Sequence, residues 1–283
     1  MRIVTTHHDL DDAERGVLIP TMGGFHDGHI ALIEAAASHA EGRAVIVSVF
    51  VNPAQFEESH DFEDYPRTLE SDAARAATAG ATHVYAPTVP EVYPDGFSVS
   101  QTDGSFATGG LPWIASSPGL EDATRPGHLP GVYRVVKRLF ELTRCADAAF
   151  GEKDWQQLML ARALSEREGL GVRIIPVPTV REPDGIAMSS RNVHLTDPMR
   201  ERARGLSRCI EEAGKHADPK AAERAGLHTL ANHDVQPEYV AVRDAETLGE
   251  YREGRPARCL VAGRIDHVRL IDNDVWPGFT PGA

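Results

Sequence analysis

Residues 17–29 read V-L-I-P-T-M-G-G-F-H-D-G-H: an apolar run, a proline, two adjacent glycines, then polar residues opening a helical pattern. Residues 17–20 predict a strand. Residues 30–40 predict a helix, with apolar positions at Ile30, Ile33 and Ala37 and at Leu32 and Ala36. Paired glycines let backbone approach a ligand closely. In open α/β sheets ligands sit at the carboxyl ends of strands. A helix starting there offers unsatisfied N–H groups and a positive dipole end, which suits phosphate. The same dipole end disfavours imidazolium, so His26 and His29 are expected as mostly neutral donors. Their spacing of three puts them on one side of the first turn.

Working outward, residues 44–51 (A-V-I-V-S-V-F-V) are β-branched nearly throughout, the pattern of a strand covered on both faces. An Ala-rich helix follows at 68–79, ended by Gly80, then a strand at 82–86. In the helix at 130–143, Val132, Val135, Val136, Leu139, Phe140 and Thr143 share one face, opposite Arg134, Lys137, Arg138 and Glu141. A strand at 147–150, a helix at 155–167 and a strand at 172–177 complete the alternation. Strands alternating with helices predict an α/β, Rossmann-like parallel sheet. Residues 87–128, rich in Pro, Gly and Ser, form a long excursion of the kind that is often functional. After Pro178 the grammar changes: Asp197 and Pro198 read as an N-cap with proline at the first helical position. Helices at 198–214 and 219–232 follow, then strands near 239–242, 259–263 and 268–271. The division is a Rossmann-like domain at 1–179 and a smaller α+β domain at 180–283.

The chain has 283 residues, 25% charged and 41% hydrophobic, an ordinary globular balance. Its 29 Lys+Arg against 42 Asp+Glu give a net charge of −13, a poor footprint for nucleic acid or an anionic membrane. Cys145, Cys209 and Cys259 lie far apart without C-x-x-C spacing and read as buried, reduced thiols. The start lacks a signal-like apolar run, and no stretch approaches the ~20 residues of a membrane helix. A cytoplasmic protein is expected.

Three further segments carry chemistry. At 186–192, I-A-M-S-S-R-N gathers Met188, two hydroxyl donors (Ser189, Ser190) and the forked cation Arg191; a solvated linker is the plain alternative. At 150–157, F-G-E-K-D-W-Q-Q places Lys153 just past a strand as a phosphate cation, although Asp154 and Gln157 also have capping-box spacing. At 50–56, F-V-N-P-A-Q-F offers Asn52 and Gln55, uncharged groups suited to fixing a hydroxy acid; an Asn-Pro turn is the alternative. A zinc-type site is weaker, because two histidines at i, i+3 lack a third ligand.

His-x-Gly-His after one strand and Met-Ser-Ser-Arg after the last resemble the paired signature of nucleotidyltransferase domains. With Y-P-R-T, R-P-G-H-L-P-G-V and P-T-V-R-E-P-D-G-I-A-M-S-S-R-N in order from about residue 18 to 195, the chain resembles the pantoate–β-alanine ligase (pantothenate synthetase) family. The last ninety residues match only in general character. The resemblance implies condensation of pantoate with β-alanine at the cost of ATP, through a pantoyl adenylate, releasing AMP and diphosphate, with Mg²⁺ required. By it, Met22, Gly23, Gly24, Phe25, His26, Asp27, Gly28 and His29 contact ATP, as do Gly151, Glu152, Lys153, Asp154, Val180, Met188, Ser189, Ser190 and Arg191. His29 is the position the family assigns as proton donor. His26, Lys153, Ser189, Ser190 and Arg191 complete the catalytic set. Gln55 would touch pantoate and β-alanine, and Gln157 pantoate, with Asn52, Arg125 and His128 on further pocket positions. Acidic residues follow Y-P-R-T in the family; here that stretch is E-S-D, which nominates Asp72 for the metal. Gly24 stands where the family usually has Ala. A homodimer is also implied; separately, the place of Met188–Arg191 at the expected domain junction suggests the second domain as a lid. A different adenylate-forming nucleotidyltransferase, acting on another small acid, is the rival; a scaffold without activity would lack part of the donor set, which is complete here.

Overall fold

The computed structural model describes residues 1–55, 62–63, 65–96 and 110–277. Part of the 87–128 excursion (97–109) and Phe56 lie outside the described residues. Two compact units emerge, one comprising Met1–Gly151 and Gln156–Pro178, the other Glu152–Trp155 and the chain from Thr179 onward. The four residues Glu152–Trp155, which the division at 179 leaves in the first domain, group with the second unit.

The first unit is built on a parallel sheet of β1 (Arg2–Val4), β2 (Val17–Thr21), β3 (Val45–Val49), β4 (His83–Tyr85), β5 (Asp147–Gly151) and β6 (Arg173–Val177), in spatial order β1-β4-β3-β2-β5-β6. β2 is central, pairing Leu18 with Ile46 on one side and with Ala148 on the other. Both its neighbours are parallel and helices cover the faces, so V-L-I and V-I-V-S are buried without alternation. The edge strand β1 escapes sequence reading because it is only three residues long and exposed at its first two positions. Four longer helices pack against the sheet: α1 (Asp27–His39), α2 (Leu69–Thr78), α3 (His128–Thr143) and α4 (Trp155–Arg167). Ile33 and Ala36 of α1 and Ala73 and Ala76 of α2 close over Val17, Ile19, Val45, Val47 and Val84. The apolar face read for α3 is buried at each of its six positions.

The chain runs outward from β2 to β3 and β4, then returns to β5 and β6 on the other side of β2. This reversal between β2 and β5 is the switch point at which open α/β sheets bind ligands, outside the strands' carboxyl ends. The glycine pair leaves β2 at that end.

In the second unit α5 (Asp197–Ala203), α6 (Gly205–Ala213) and α7 (Pro219–Asn232) accompany an antiparallel sheet of β7 (Gln236–Asp244), β8 (Ala257–Ile265) and β9 (Val268–Val275). The single helix expected at 198–214 is divided at Arg204, and its N-cap is Thr196, with Asp197 already helical. Asp218 caps α7 by accepting from the Ala221 N–H at 2.6 Å, ahead of Pro219. Leu206, Ile210, Leu230, Val242, Val261 and Trp276 form this unit's core. The three cysteines are free and buried, and burial pushes the Cys145 and Cys259 thiols up to about 12. Among the described residues no helix is long and apolar enough to cross a membrane.

Candidate active site

Gly23 and Gly24 have φ of +91° and +66°, left-handed conformations that L side chains rarely adopt, and this turns the chain from β2 into α1. α2 holds the turn from outside. One Asp72 carboxylate oxygen accepts the Phe25 N–H at 2.9 Å. The other accepts the Gly24 N–H at 2.9 Å and the Thr68 hydroxyl at 3.0 Å. One helical turn on, Arg75 donates to the Phe25 carbonyl and to the Asp27 carboxylate, both at 2.6 Å. The turn therefore has its N–H groups fixed by an anion and its carbonyl by a cation.

Asp72, the residue expected to hold the metal, is 2% exposed, and its carboxylate already takes three donors in clamping the turn. No group of three or more His, Cys, Asp or Glu among the described residues could hold a metal ion. The described donor set does not fit a protein-caged Mg²⁺.

At the start of α1 the two histidines form a reciprocal cap. His26 Nδ1 accepts the Gly28 N–H at 3.2 Å, and His29 Nδ1 accepts the His26 N–H at 3.3 Å. Backbone N–H groups only donate, so both Nδ1 atoms are acceptors and each ring carries its proton on Nε2 in the neutral form. The rings lie 4.1 Å apart between centroids, and His29 stacks on Phe25 at 5.1 Å. Both rings thus sit at a helix N-terminus, where the dipole favours a bound anion.

The segment after β3 reaches the same turn. Gln55 Nε2 lies 2.9 Å from the Met22 sulfur, and Gln55 Oε1 accepts from Asn52 Nδ2 at 3.1 Å. Asn52 is 1% exposed and also binds the Gly131 carbonyl, the Ala54 N–H and the Tyr93 hydroxyl. It is a holder of Gln55 and of α3 rather than an open hydrogen-bonder. His128 opens α3 with Nδ1 3.4 Å from the Gln55 carbonyl. Gly131 makes the approach feasible, because a Cβ there would sit 2.3 Å from the Ala54 oxygen. Arg125 pairs with Glu121 at 3.8 Å in the turn before α3. Gln157 is half-buried in the first turn of α4. Its neighbour Gln156 is a structural residue, binding the Glu121 N–H and the Ile114 carbonyl.

In the second unit, Lys153 lies in the short turn Glu152–Asp154, its ammonium 3.8 Å from the Asp154 carboxylate. Val180 and Met188 are joined by the Met188 N–H to the Val180 carbonyl at 2.9 Å, beside an Arg181–Ala187 bridge. The loop so closed is fixed by Asn192, which donates to Glu182 and to the Ala187 carbonyl, and by Arg200, which pairs with Glu182 and Asp184. Ser189 caps the following turn by accepting the Arg191 N–H at 3.3 Å. Ser190 is half-buried and Arg191 exposed.

Sequence reading missed Thr68, Arg75, Tyr93 and Gly131 as supports. Only Arg75 left a signal, standing one turn after Asp72 on the same helix face.

A parallel sheet with this strand order, a glycine turn at its switch point and a histidine-capped helix define a Rossmann-like domain of the nucleotidyltransferase type. The family model for pantoate-β-alanine ligase matches residues 2–275. The pantothenate synthetase of Paracoccus denitrificans is 45% identical over 264 residues, covering 90% of this chain and 88% of its own. That of Thermus thermophilus is 43% identical over 290 residues, covering 98% and 100%. The Thermus crystal structure superposes with a TM-score of 0.83 at 42% identity, covering 96% of this chain and 98% of the other. The pantoate-β-alanine ligase of Francisella tularensis, crystallised with beta-gamma ATP and β-alanine, gives 0.78 at 30% identity, covering 98% of each. The chain belongs to the pantoate-β-alanine ligase family.

Proposed function

We propose that this chain condenses pantoate with β-alanine to pantothenate, cleaving ATP to AMP and diphosphate through a pantoyl adenylate. Family membership over nearly the whole chain supports the activity. The observation that carries the chemistry is the histidine-capped glycine turn with Gln55 fixed against it by Met22 and Asn52.

In the first step the pantoate carboxylate attacks the α-phosphorus and diphosphate leaves. Charge builds on phosphoryl oxygens, so the protein's part is positioning and stabilisation. His26 and His29 are assigned to the phosphates at the helix N-terminus, with His29 as the proton donor. Lys153, Ser189, Ser190 and Arg191 are assigned to the phosphates as cations and donors. In the second step the β-alanine amine attacks the acyl carbon and AMP leaves. Gln55, Gln157, His128 and Arg125 are assigned to the acid and the amine, which they orient while water is excluded. Mg²⁺ is proposed to arrive with the triphosphate, whose oxygens are ordinary ligands for it. Cytoplasmic location and a homodimeric assembly complete the proposal.

A coupled AMP-release assay with pantoate, β-alanine, ATP and Mg²⁺, each omitted in turn, tests it. Release that needs all four is expected; release that follows another acid and ignores pantoate favours a different adenylate-forming activity.

A further inference from the structure

The turn carrying Lys153 is gripped by two buried residues from β8 and β9. Asn273, 3% exposed, donates Nδ2–H to the Glu152 carbonyl at 2.9 Å and to the Lys153 carbonyl at 2.8 Å. Arg258, 5% exposed, sends Nη1 to Asn273 Oδ1 at 2.5 Å and Nη2 to the Glu152 carboxylate at 2.6 Å. Its guanidinium lies 3.6 Å over the centroid of the Trp155 ring, and the Trp155 indole N–H donates to the Ala245 carbonyl at 2.8 Å. The amide orientation of Asn273 is settled by its partners. A guanidinium only donates and carbonyls only accept, so Oδ1 must face Arg258 and Nδ2 the two carbonyls.

This latch acts on the peptide groups on either side of the Lys153 Cα. Glu152–Asp154 is a tight 3₁₀ turn, a conformation whose hydrogen-bond geometry is in general poorer than that of an α-helix. Without the latch, the rotation of those two peptides, and with it the direction of the lysine stem, is weakly determined. Neither Asn273 nor Arg258 was singled out by the sequence, and neither is among the residues assigned to substrate.

We propose that Asn273, oriented by Arg258, is a positioning residue that sets the direction of the Lys153 ammonium toward the phosphates. The proposal rests on the assignment of Lys153 to ATP made above. Asn273→Asp is the informative variant: it is isosteric, keeps the acceptor for Arg258, and sets an anion against the two carbonyls in place of their donor. Displacing one catalytic group costs roughly 10- to 100-fold, which is the loss expected in pantoate-dependent ATP–diphosphate exchange. The KM for β-alanine in the full reaction should be unchanged.

The deciding measurement is a double-mutant cycle with Lys153→Ala, read in exchange rate and in calorimetric affinity for ATP with Mg²⁺. Asn273→Asp should add little once the lysine is gone. An equal loss in both backgrounds assigns Asn273 a merely structural role and overturns the proposal, as does wild-type exchange by a folded Asn273→Asp enzyme. If that variant fails to fold, Arg258→Lys takes its place, since it keeps the charge facing Glu152 but loses the flat donor pair. A wild-type chain that binds ATP without pantoate-dependent exchange rejects the assigned activity, and the cycle is then decided by affinity alone. A chain that binds no ATP rejects both.

Discussion

Replacing Asp72 by Asn separates a carboxylate that holds the glycine turn from one that binds a metal. The carboxamide keeps one acceptor oxygen and turns the other into an NH₂ group. That group must face either the Phe25 N–H, or the Gly24 N–H together with the Thr68 hydroxyl. Leaving a buried N–H without an acceptor costs about 1–3 kcal/mol, and the remaining bonds fall from charged to neutral strength, so the whole loss is about 3–5 kcal/mol. Carried by the first unit, that is a drop in melting temperature of about 6–20 °C. Two assays are needed: melting in EDTA without nucleotide, and AMP release across a Mg²⁺ titration. The expected outcome is a lowered melting temperature in EDTA, reduced turnover and an unchanged half-saturating Mg²⁺ concentration. Unchanged melting in EDTA, with the Mg²⁺ requirement raised, would refute the clamp and restore Asp72 as a ligand.

His29→Ala should lower turnover by roughly 10²- to 10³-fold, as loss of one preorganised donor does; near-wild-type kcat would remove His29 from the mechanism. Gly131→Ala drives a methyl to 2.3 Å from the Ala54 oxygen and should cost about 1–3 kcal/mol while raising the KM for pantoate, because Gln55 follows the displaced backbone. A chemical-denaturation midpoint equal to wild type would contradict that close approach. Burial alone would raise the Asp147 pKa, but hydrogen bonds from Arg173 and Arg43 outweigh it and hold the carboxyl below the ordinary range. A depressed folded-state value adds stability that is present above the unfolded pKa of about 3.9 and is lost as pH falls through the folded one. Asp147→Asn should thus melt lower than wild type at pH 7, with the two curves converging below about pH 4. A gap that persists unchanged to pH 2 would show that the pair contributes nothing through its charge.

Much of this site was legible because its signals are local. The apolar run before the glycines, the histidines spaced by three and the α3 face from Val132 to Thr143 all depend on neighbours within a turn or two of the chain. The supports were not legible, because their partners are remote. Asp72 meets Gly24 and Phe25 across 48 and 47 residues, and Asn52 meets Gly131 across 79. Asn273 meets Lys153 across 120. Acidic residues after Y-P-R-T suggested a metal, whereas folding brings two backbone N–H groups against Asp72 first. Asn52 suggested a ligand contact, whereas Tyr93, Ala54 and Gly131 already take up its amide.

By itself the sequence determined the alternation of strands and helices, the glycine turn with its histidines, and the family, because periodicity, cap chemistry and short motifs are written in consecutive residues. Only the tertiary structure decided which polar groups are available to a substrate and which are consumed in holding others. Burial and hydrogen-bond saturation arise from segments that meet only when the sheet and its helices close.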